Sequence, residues 1–480
     1  MSTFFIQHHR TDCQVTLTGT ALKNNAASGK TNYDGGGAVY SNNNRLILSG
    51  VVMDGNSTGF YGGAVSALGA ELTIDNGSQF KNNTGATAPA IYLRDGGSCT
   101  MTDVSVTDNI GTNGNGTLYI TGAGTLTITR LMASDNRNSN GGVLYSSGSG
   151  AIVIDSSELT NNAAVNNGGV IDYRGSGSLT VTGTTISGNT ARIGGVVHTS
   201  GTGSVSIRSS ALTGNSATGQ GGAVYATGSG NVAVSDNCTV SSNTAPTGGA
   251  VYLDKGASVE ISGSTMESNS ATTDFGGAIM IADSSTEGTA ATTLTLTNVT
   301  LTNNTAVKKG GALSTDTSSP NLVIQASGCS FVGNKTTSEG AGAVEIQNGN
   351  CTSAQAPASL NLVFTNCTFT NNTAKTTGGA VEIRTSSCAR FDGITATGNS
   401  SPQNGAGIYV TSNFSRLYLT GDVSCSNNIS EQSGDSFIYL YNNSYTNPPK
   451  IYTSYGSDAP WYSVVKGNSG SIEFGVTQMP

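Results

Sequence analysis

Residues 185–225 read TISGNTARIGGVVHTSGTGSVSIRSSALTGNSATGQGGAVY, and two short words within them decide the fold. The first is apolar-x-x-Asn, at Ile186-x-x-Asn189 and again at Leu212-x-x-Asn215. The second is a glycine pair followed by two small or apolar residues, at Gly194-Gly195-Val196-Val197 and Gly221-Gly222-Ala223-Val224. Between them runs Ser204-Val205-Ser206-Ile207-Arg208, whose Val and Ile fall on one face of a strand. A unit of this length cannot enclose its own apolar face, but stacked copies can.

Both words recur along the chain in phase. The Asn stands at Asn25, Asn56, Asn83, Asn109, Asn136, Asn162, Asn189, Asn215, Asn243, Asn269, Asn304, Asn334, Asn372, Asn399 and Asn428, fifteen times. One Gly-Gly word or a degenerate copy follows each. From Gly37 to Asn269 the arc between a Gly word and the following Asn keeps to 19 to 21 residues. A period near 26 or 27 is one turn of strands of 4 to 6 residues joined by tight corners. The sequence thus predicts an all-β chain, a single right-handed parallel β-helix of about 15 coils, pectin-lyase-like in kind. Asn83, Asn162, Asn189, Asn215, Asn243 and Asn269 are read as corner residues that bond to backbone or to the Asn one coil away, and that tolerate left-handed backbone. Gly169, Gly195, Gly222 and Gly249 are read as sites of close approach between coils.

Composition agrees with one repetitive body. Of 480 residues 66 are Gly, only 10% are charged and 36% are hydrophobic, and the mixture stays even from end to end. A net charge of −8 and the absence of any Lys/Arg run disfavour nucleic acid. No apolar stretch approaches the ~20 residues of a membrane-spanning helix. MSTFFIQHHR has no secretory apolar core, so an export signal is expected to lie outside this sequence.

Organisation follows the arcs. Residues 1–24 read as an N-terminal cap or first strand, 25–273 as a regular shaft, 274–436 as coils with inserted loops, and 437–480 as an aromatic-rich final coil or cap. All the extra length falls in one arc, so loops such as 281–293 and 347–359 emerge on one side, as a binding surface or as drift at a permissive corner. Tyr452, Tyr455 and Trp461 in the last segment suit a cap, with sugar stacking as the other reading. Tyr92, Tyr119, Tyr145, Tyr225 and Tyr252 recur at one strand position, which alternation places on the outside. Stacking between coils is the favoured reading of that column, and a partner-binding stripe the alternative.

The same column offers two candidate pairs one coil apart, Asp172 beside His198 and Glu345 beside Glu382. Paired carboxylates at that spacing could serve as acid and nucleophile, and are weighed as weak catalytic candidates against charges merely stacked on an outer face. Flat Thr ladders suited to ice are broken, since Thr127 is followed one coil on by Val153 and later by Ala233 and Glu260. Neither a Cys-x-x-Cys pair nor an iterated Gly-Gly-x-Gly-x-Asp is present, so no metal and no cofactor is expected. Cys329/Cys367 and Cys351/Cys388 each fall in step on adjacent coils; the first pair reads as buried thiols, the second as evenly poised between thiols and a disulfide. Asn-x-Ser/Thr occurs at Asn56, Asn298, Asn366 and Asn442, as the composition requires.

Phe80-x-x-Asn83, Phe331-x-x-Asn334 and Phe369-x-x-Asn372, the last two followed by Ala341-Gly342-Ala343-Val344 and Gly378-Gly379-Ala380-Val381, resemble the polymorphic outer-membrane protein repeat of chlamydial surface proteins and other adhesin-like chains. The resemblance implies a cell-surface location and adhesion. The expected role is a non-enzymatic extracellular module binding a cell-surface glycan or protein, or associating with itself. The alternatives are a structural subunit of an extracellular filament and a polysaccharide lyase or hydrolase. The C-terminal membrane β-barrel usual in that family is not visible in Gly470–Gly475.

Overall fold

The computed structural model describes residues 13–28, 35–282, 290–315, 322–347, 351, 360–411, 414–442, 447–459, 465–467 and 471–473. The chain is an all-β, right-handed parallel solenoid of about fifteen turns. No helix among the described residues is long and apolar enough to cross a membrane. Two compact units divide it, Met1–Ala233 and Val234–Pro480.

In the first unit, one coil runs Ala151–Asp155, a bend, Glu158–Thr160, the Asn162 corner, Ala163–Asn167, the Gly168-Gly169 turn and Ile171–Tyr173. Each strand pairs in parallel with its counterpart in the next coil, Ile152 with Leu179 and Ile171 with Val197. Ile152, Ile154, Leu159, Ala164, Val170, Ile171 and Tyr173 of this coil are all buried. At about 1.5–3 kcal/mol for each large apolar side chain removed from water, stacked interiors of this kind hold the coils together. The second unit repeats the plan, with Ser258–Ser262, Thr265–Glu267, the Asn269 corner, Ser270–Ala271, Gly276-Gly277 and Ile279–Ile281. Its interior is widened by phenylalanine stacks, Phe331 on Phe369 at 4.9 Å and Phe364 on Phe391 at 4.8 Å between ring centroids. The loop arcs 281–293 and 347–359 fall largely on residues outside the described set.

The Asn corners form a buried amide ladder in each unit. From Asn25 to Asn215, each side-chain Nδ2 donates to Oδ1 of the next coil's Asn at 2.9–3.1 Å. The same Oδ1 also accepts the previous Asn's backbone N–H, as between Asn136 N and Asn162 Oδ1 at 3.1 Å. The second Nδ2 hydrogen reaches back to a carbonyl of the preceding coil, Asn162 to Ala133 O at 2.9 Å. In the second unit the ladder runs from Asn243 to Asn428 at 2.8–3.0 Å. Asn56 and the ladder residues after it in the first unit are fully buried. Asn56 is therefore closed to glycosylation, while Asn298 and Asn366 sit at exposed bends.

One expectation is corrected here. The ladder Asn is not the left-handed residue; the residue before it is. Asn24, Gly55, Asn82, Asp108, Asp135, Asn161, Gly188, Gly214, Ser242, Ser268, Asn303, Gly333, Asn371, Gly398 and Asn427 have φ between 54° and 67°. Only Asn, Asp, Ser and Gly occupy this position, the types for which positive φ costs least or is met locally. The glycine pair also divides its work. Gly168 takes φ 61°, and a Cβ on Gly169 would overlap the Gly195 carbonyl one coil on.

Asn162→Ala should lower the unfolding free energy by roughly 3–5 kcal/mol, because it strands the Asn136 donors and the Ala133 carbonyl at about 1–3 kcal/mol each. Asn161→Gly, at the exposed left-handed corner, should be neutral or slightly stabilising. Urea unfolding followed by circular dichroism compares the two; equal losses would contradict this division of roles.

Candidate functional site

The column predicted to face outward lies on the strand after the glycine pair of each coil, at Tyr92, Tyr119, Tyr145, Asp172, His198 and Tyr225 in the first unit, and at Tyr252, Met280, Ser314, Glu345, Glu382 and Tyr409 in the second. Register is as the sequence predicted. Exposure is not: Tyr92, Tyr145, Asp172, His198, Ser314, Glu345, Glu382 and Tyr409 are buried, and Tyr119, Tyr225 and Tyr252 half-buried. These strands are only three or four residues long, and the preceding glycine turn doubles back against the column. A Cβ on Gly405 would stand 2.9 Å from Tyr409 Cβ, and one on Gly378 3.0 Å from Glu382 Cβ. The side chains also cover one another. Tyr61, Tyr92, Tyr119 and Tyr145 pack in sequence with centroids 4.6, 5.3 and 4.8 Å apart, stacked, tilted and edge-on in turn.

In the first unit, Asp172 is 0% exposed and fully engaged. Arg174 donates to its Oδ2 through Nη2 at 2.9 Å and Nε at 3.1 Å, and His198 Nδ1 lies 2.7 Å from Oδ1. Arg174 also sits over the Tyr145 ring at 5.4 Å, and His198 stacks on Tyr225 at 5.6 Å. Every partner of this carboxylate comes from its own or a neighbouring coil, which makes it a cross-link.

The acid pair of the second unit is built differently. Glu345 and Glu382 are in-register neighbours, 1% and 3% exposed. Ser314 donates to Glu345 Oε2 at 2.6 Å, and Lys309 Nζ stands 3.5 Å from Glu345 Oε1 and 3.5 Å from Glu339 Oε2. Arg384 Nη1 is 3.7 Å from Glu382 Oε1. Glu345 Oε1, Glu382 Oε2 and Arg384 Nε have no hydrogen-bond partner. Burial pushes the Glu345 carboxyl up to about 7. Burial, reinforced by Glu345, pushes Glu382 to about 8. Above Glu382 opens a cavity of about 330 Å³ lined by Lys309, Glu339, Gly340, Arg384, Tyr409 and Tyr441 among others.

Sequence reasoning singled out Glu345, Glu382 and, among the aromatics of the last segment, Tyr441, but missed Lys309, Glu339 and Arg384. Lys308-Lys309, two adjacent cations in a chain with 10% charge, directly before Gly310, was the available signal. Among the described residues no group of three or more His, Cys, Asp or Glu side chains is placed to hold a metal ion.

The distal aromatics are internally engaged. Tyr452 stacks on buried Tyr418 at 5.0 Å, and the Tyr455 hydroxyl accepts the Val423 N–H at 3.0 Å and donates to the Gly421 carbonyl. Trp461 lies outside the described residues. Cys351 and Cys388 are joined by a disulfide, Cα atoms 5.5 Å apart, packed under Tyr418. Cys329 and Cys367 are buried thiols whose sulfurs bond to the Ser327 and Thr365 carbonyls at 3.4 Å each.

Comparison with known proteins agrees with this architecture. The right-handed β-helix region model matches residues 70–237, and the Chlamydia polymorphic membrane protein repeat matches residues 298–316 and 366–383. No curated protein matches the chain. A solved structure, the catalytic unit of the thermostable GH87 α-1,3-glucanase from Streptomyces thermodiastaticus strain HF3-3, is similar at 10% identity and a TM-score of 0.33, over 95% of this chain and 63% of that one. This chain thus spans under two thirds of that structure.

Both carboxyls titrate above the ordinary value of 4.5 when folded, so the folded chain holds more protons than the unfolded one between about pH 4.5 and 8. These groups favour folding below that window and the contribution is lost as pH rises through it. The thermal midpoint should therefore fall from about pH 5 to 8, with a shallower fall in Glu382→Gln. An identical pH slope in the variant would remove Glu382 as the cause.

Proposed function

We propose that this chain is an extracellular, cell-surface β-helix that binds a cell, glycan or protein partner and does not transform it. The observation carrying the reading is the overlap between the matched repeat and the cavity of the second unit. Residues 298–316 contain Lys309 and Ser314, and residues 366–383 contain Glu382. The surface location rests on the membrane-protein repeat that these segments match.

The state of the acids supports binding over chemistry. A retaining or inverting glycosidase needs two carboxyls that reach the scissile bond from opposite sides. Asp172 is spent on Arg174 and His198, and Glu345 on Ser314 and Lys309. At the cavity the second carboxyl, Glu339, stands 3.5 Å from Lys309, and Glu382 has Arg384 3.7 Å away. One observation favours a carbohydrate-active enzyme as the second reading: a carboxyl held near 8 has the proton affinity of a general acid.

The purified chain should bind saturably on arrays of neutral and acidic glycans and of cell-surface proteins, and leave polysaccharide length unchanged by size-exclusion chromatography. Chain shortening that disappears in Glu345→Gln or Glu382→Gln would replace this reading with the enzyme. No ligand, together with end-to-end filaments in electron micrographs, would replace it with a structural subunit.

A further inference from the structure

The cavity over Glu382 brings unbonded polar groups of the column to an opening, with Glu382 Oε2 and Arg384 Nε both without a partner. We propose that it is a pocket for one neutral sugar unit at the end of a glycan, held by Glu382, Arg384 and Lys309 and stacked against Tyr409 and Tyr441. The inference rests on the surface-binding reading and gives it a site and a ligand class.

Four observations carry it. First, Glu382 is 3% exposed, lines the cavity and leaves Oε2 unbonded. A buried carboxyl oxygen without a hydrogen-bond partner is costly unless a ligand supplies one. Second, Arg384 offers an unbonded Nε beside that carboxyl, with Nη1 3.7 Å from Oε1. A donor next to an acceptor matches two vicinal hydroxyls of a pyranose, since each hydroxyl both donates and accepts. Third, Tyr441 at the open edge stacks on buried Tyr409 at 6.2 Å and 22°, which holds its ring as an apolar surface for the C–H face of a sugar ring. Fourth, about 330 Å³ lies at the low end of the roughly 300–1,000 Å³ of small-molecule sites, room for one ring.

The lining charges select a neutral ligand. Lys309 is held 3.5 Å from both Glu339 and Glu345 and Arg384 3.7 Å from Glu382, so each cation of the lining already faces a carboxyl of this chain. An ammonium or a metal cation would meet Lys309 and Arg384, and an anionic sugar would meet Glu339. Glu345, beneath, is occupied by Ser314 and Lys309 and serves to orient Lys309.

The test uses the whole chain with glucose, galactose, mannose and N-acetylglucosamine, followed by saturation-transfer NMR and a neutral glycan array. At least one of these sugars should show ring-proton transfer. Tyr441→Ala, at the open edge, and Arg384→Ala should each weaken binding roughly tenfold or more, while Arg208→Ala in the first unit leaves it unchanged. Absence of neutral-sugar binding, binding confined to charged sugars, or binding untouched by both variants would overturn the pocket. Cell adhesion measured on the same proteins separates the two readings. Adhesion without sugar binding sinks the pocket alone, and sugar binding without adhesion sinks only the surface role.

Discussion

The hydrogen bond from one corner asparagine to the next is the constraint on which the other features depend. A buried corner must satisfy the backbone N–H groups of the turn, and a single side-chain oxygen does so by accepting both a backbone and a side-chain donor from the neighbouring coil. The remaining amide hydrogen returns to the previous coil, so each side chain spans both neighbours. No other side chain substitutes. Asp lacks the donors and would stack charge on charge in a dry interior, Gln is a methylene too long, and Ser carries one donor. The fifteen Asn positions are therefore uniform while nearly everything around them varies.

With the corner fixed by the ladder and the next turn by the glycine pair, the strand after the glycines inherits a set register. Its central side chain falls directly over its counterpart one coil away. That column can hold Tyr on Tyr, Asp beside His, or Glu on Glu without disturbing the solenoid. Stacking at strand spacing of about 4.8 Å has an electrostatic consequence, because two carboxyls in consecutive coils cannot both ionise cheaply when covered. The elevated proton affinities of Glu345 and Glu382 follow from register and cover together.

This explains which features the sequence disclosed. The coil count, the strand positions and the partners Asp172/His198, Glu345/Glu382 and Cys351/Cys388 were legible, because stacking writes itself into spacing. The cover over the column was not. A period of two assigns a residue to a face, but whether that face is wet depends on how the glycine turn doubles back, which alternation does not encode. The left-handed corner was written in the sequence one position before the place first assigned to it, as the restriction to Asn, Asp, Ser and Gly. Lys309 and Arg384 escaped notice because they act from outside the column, reaching its acids from the turn before the strand and from the strand's end.

The two acid clusters then supply a criterion that applies within one molecule. Asp172 and Glu382 occupy the same strand position and are both buried, yet all the bonding capacity of Asp172 is directed at Arg174 and His198, whereas Glu382 keeps an oxygen with no donor. A satisfied buried carboxylate is explained by the fold, since removing either partner would leave a bare charge. An unsatisfied one beside an open cavity is not, since folding alone gains nothing from it. Glu382 has only a distant guanidinium at 3.7 Å and a carboxylate neighbour that raises its proton affinity. The missing partner must come from water or from a ligand, and the open Tyr441 ring, backed by Tyr409, would hold water poorly but a sugar ring well.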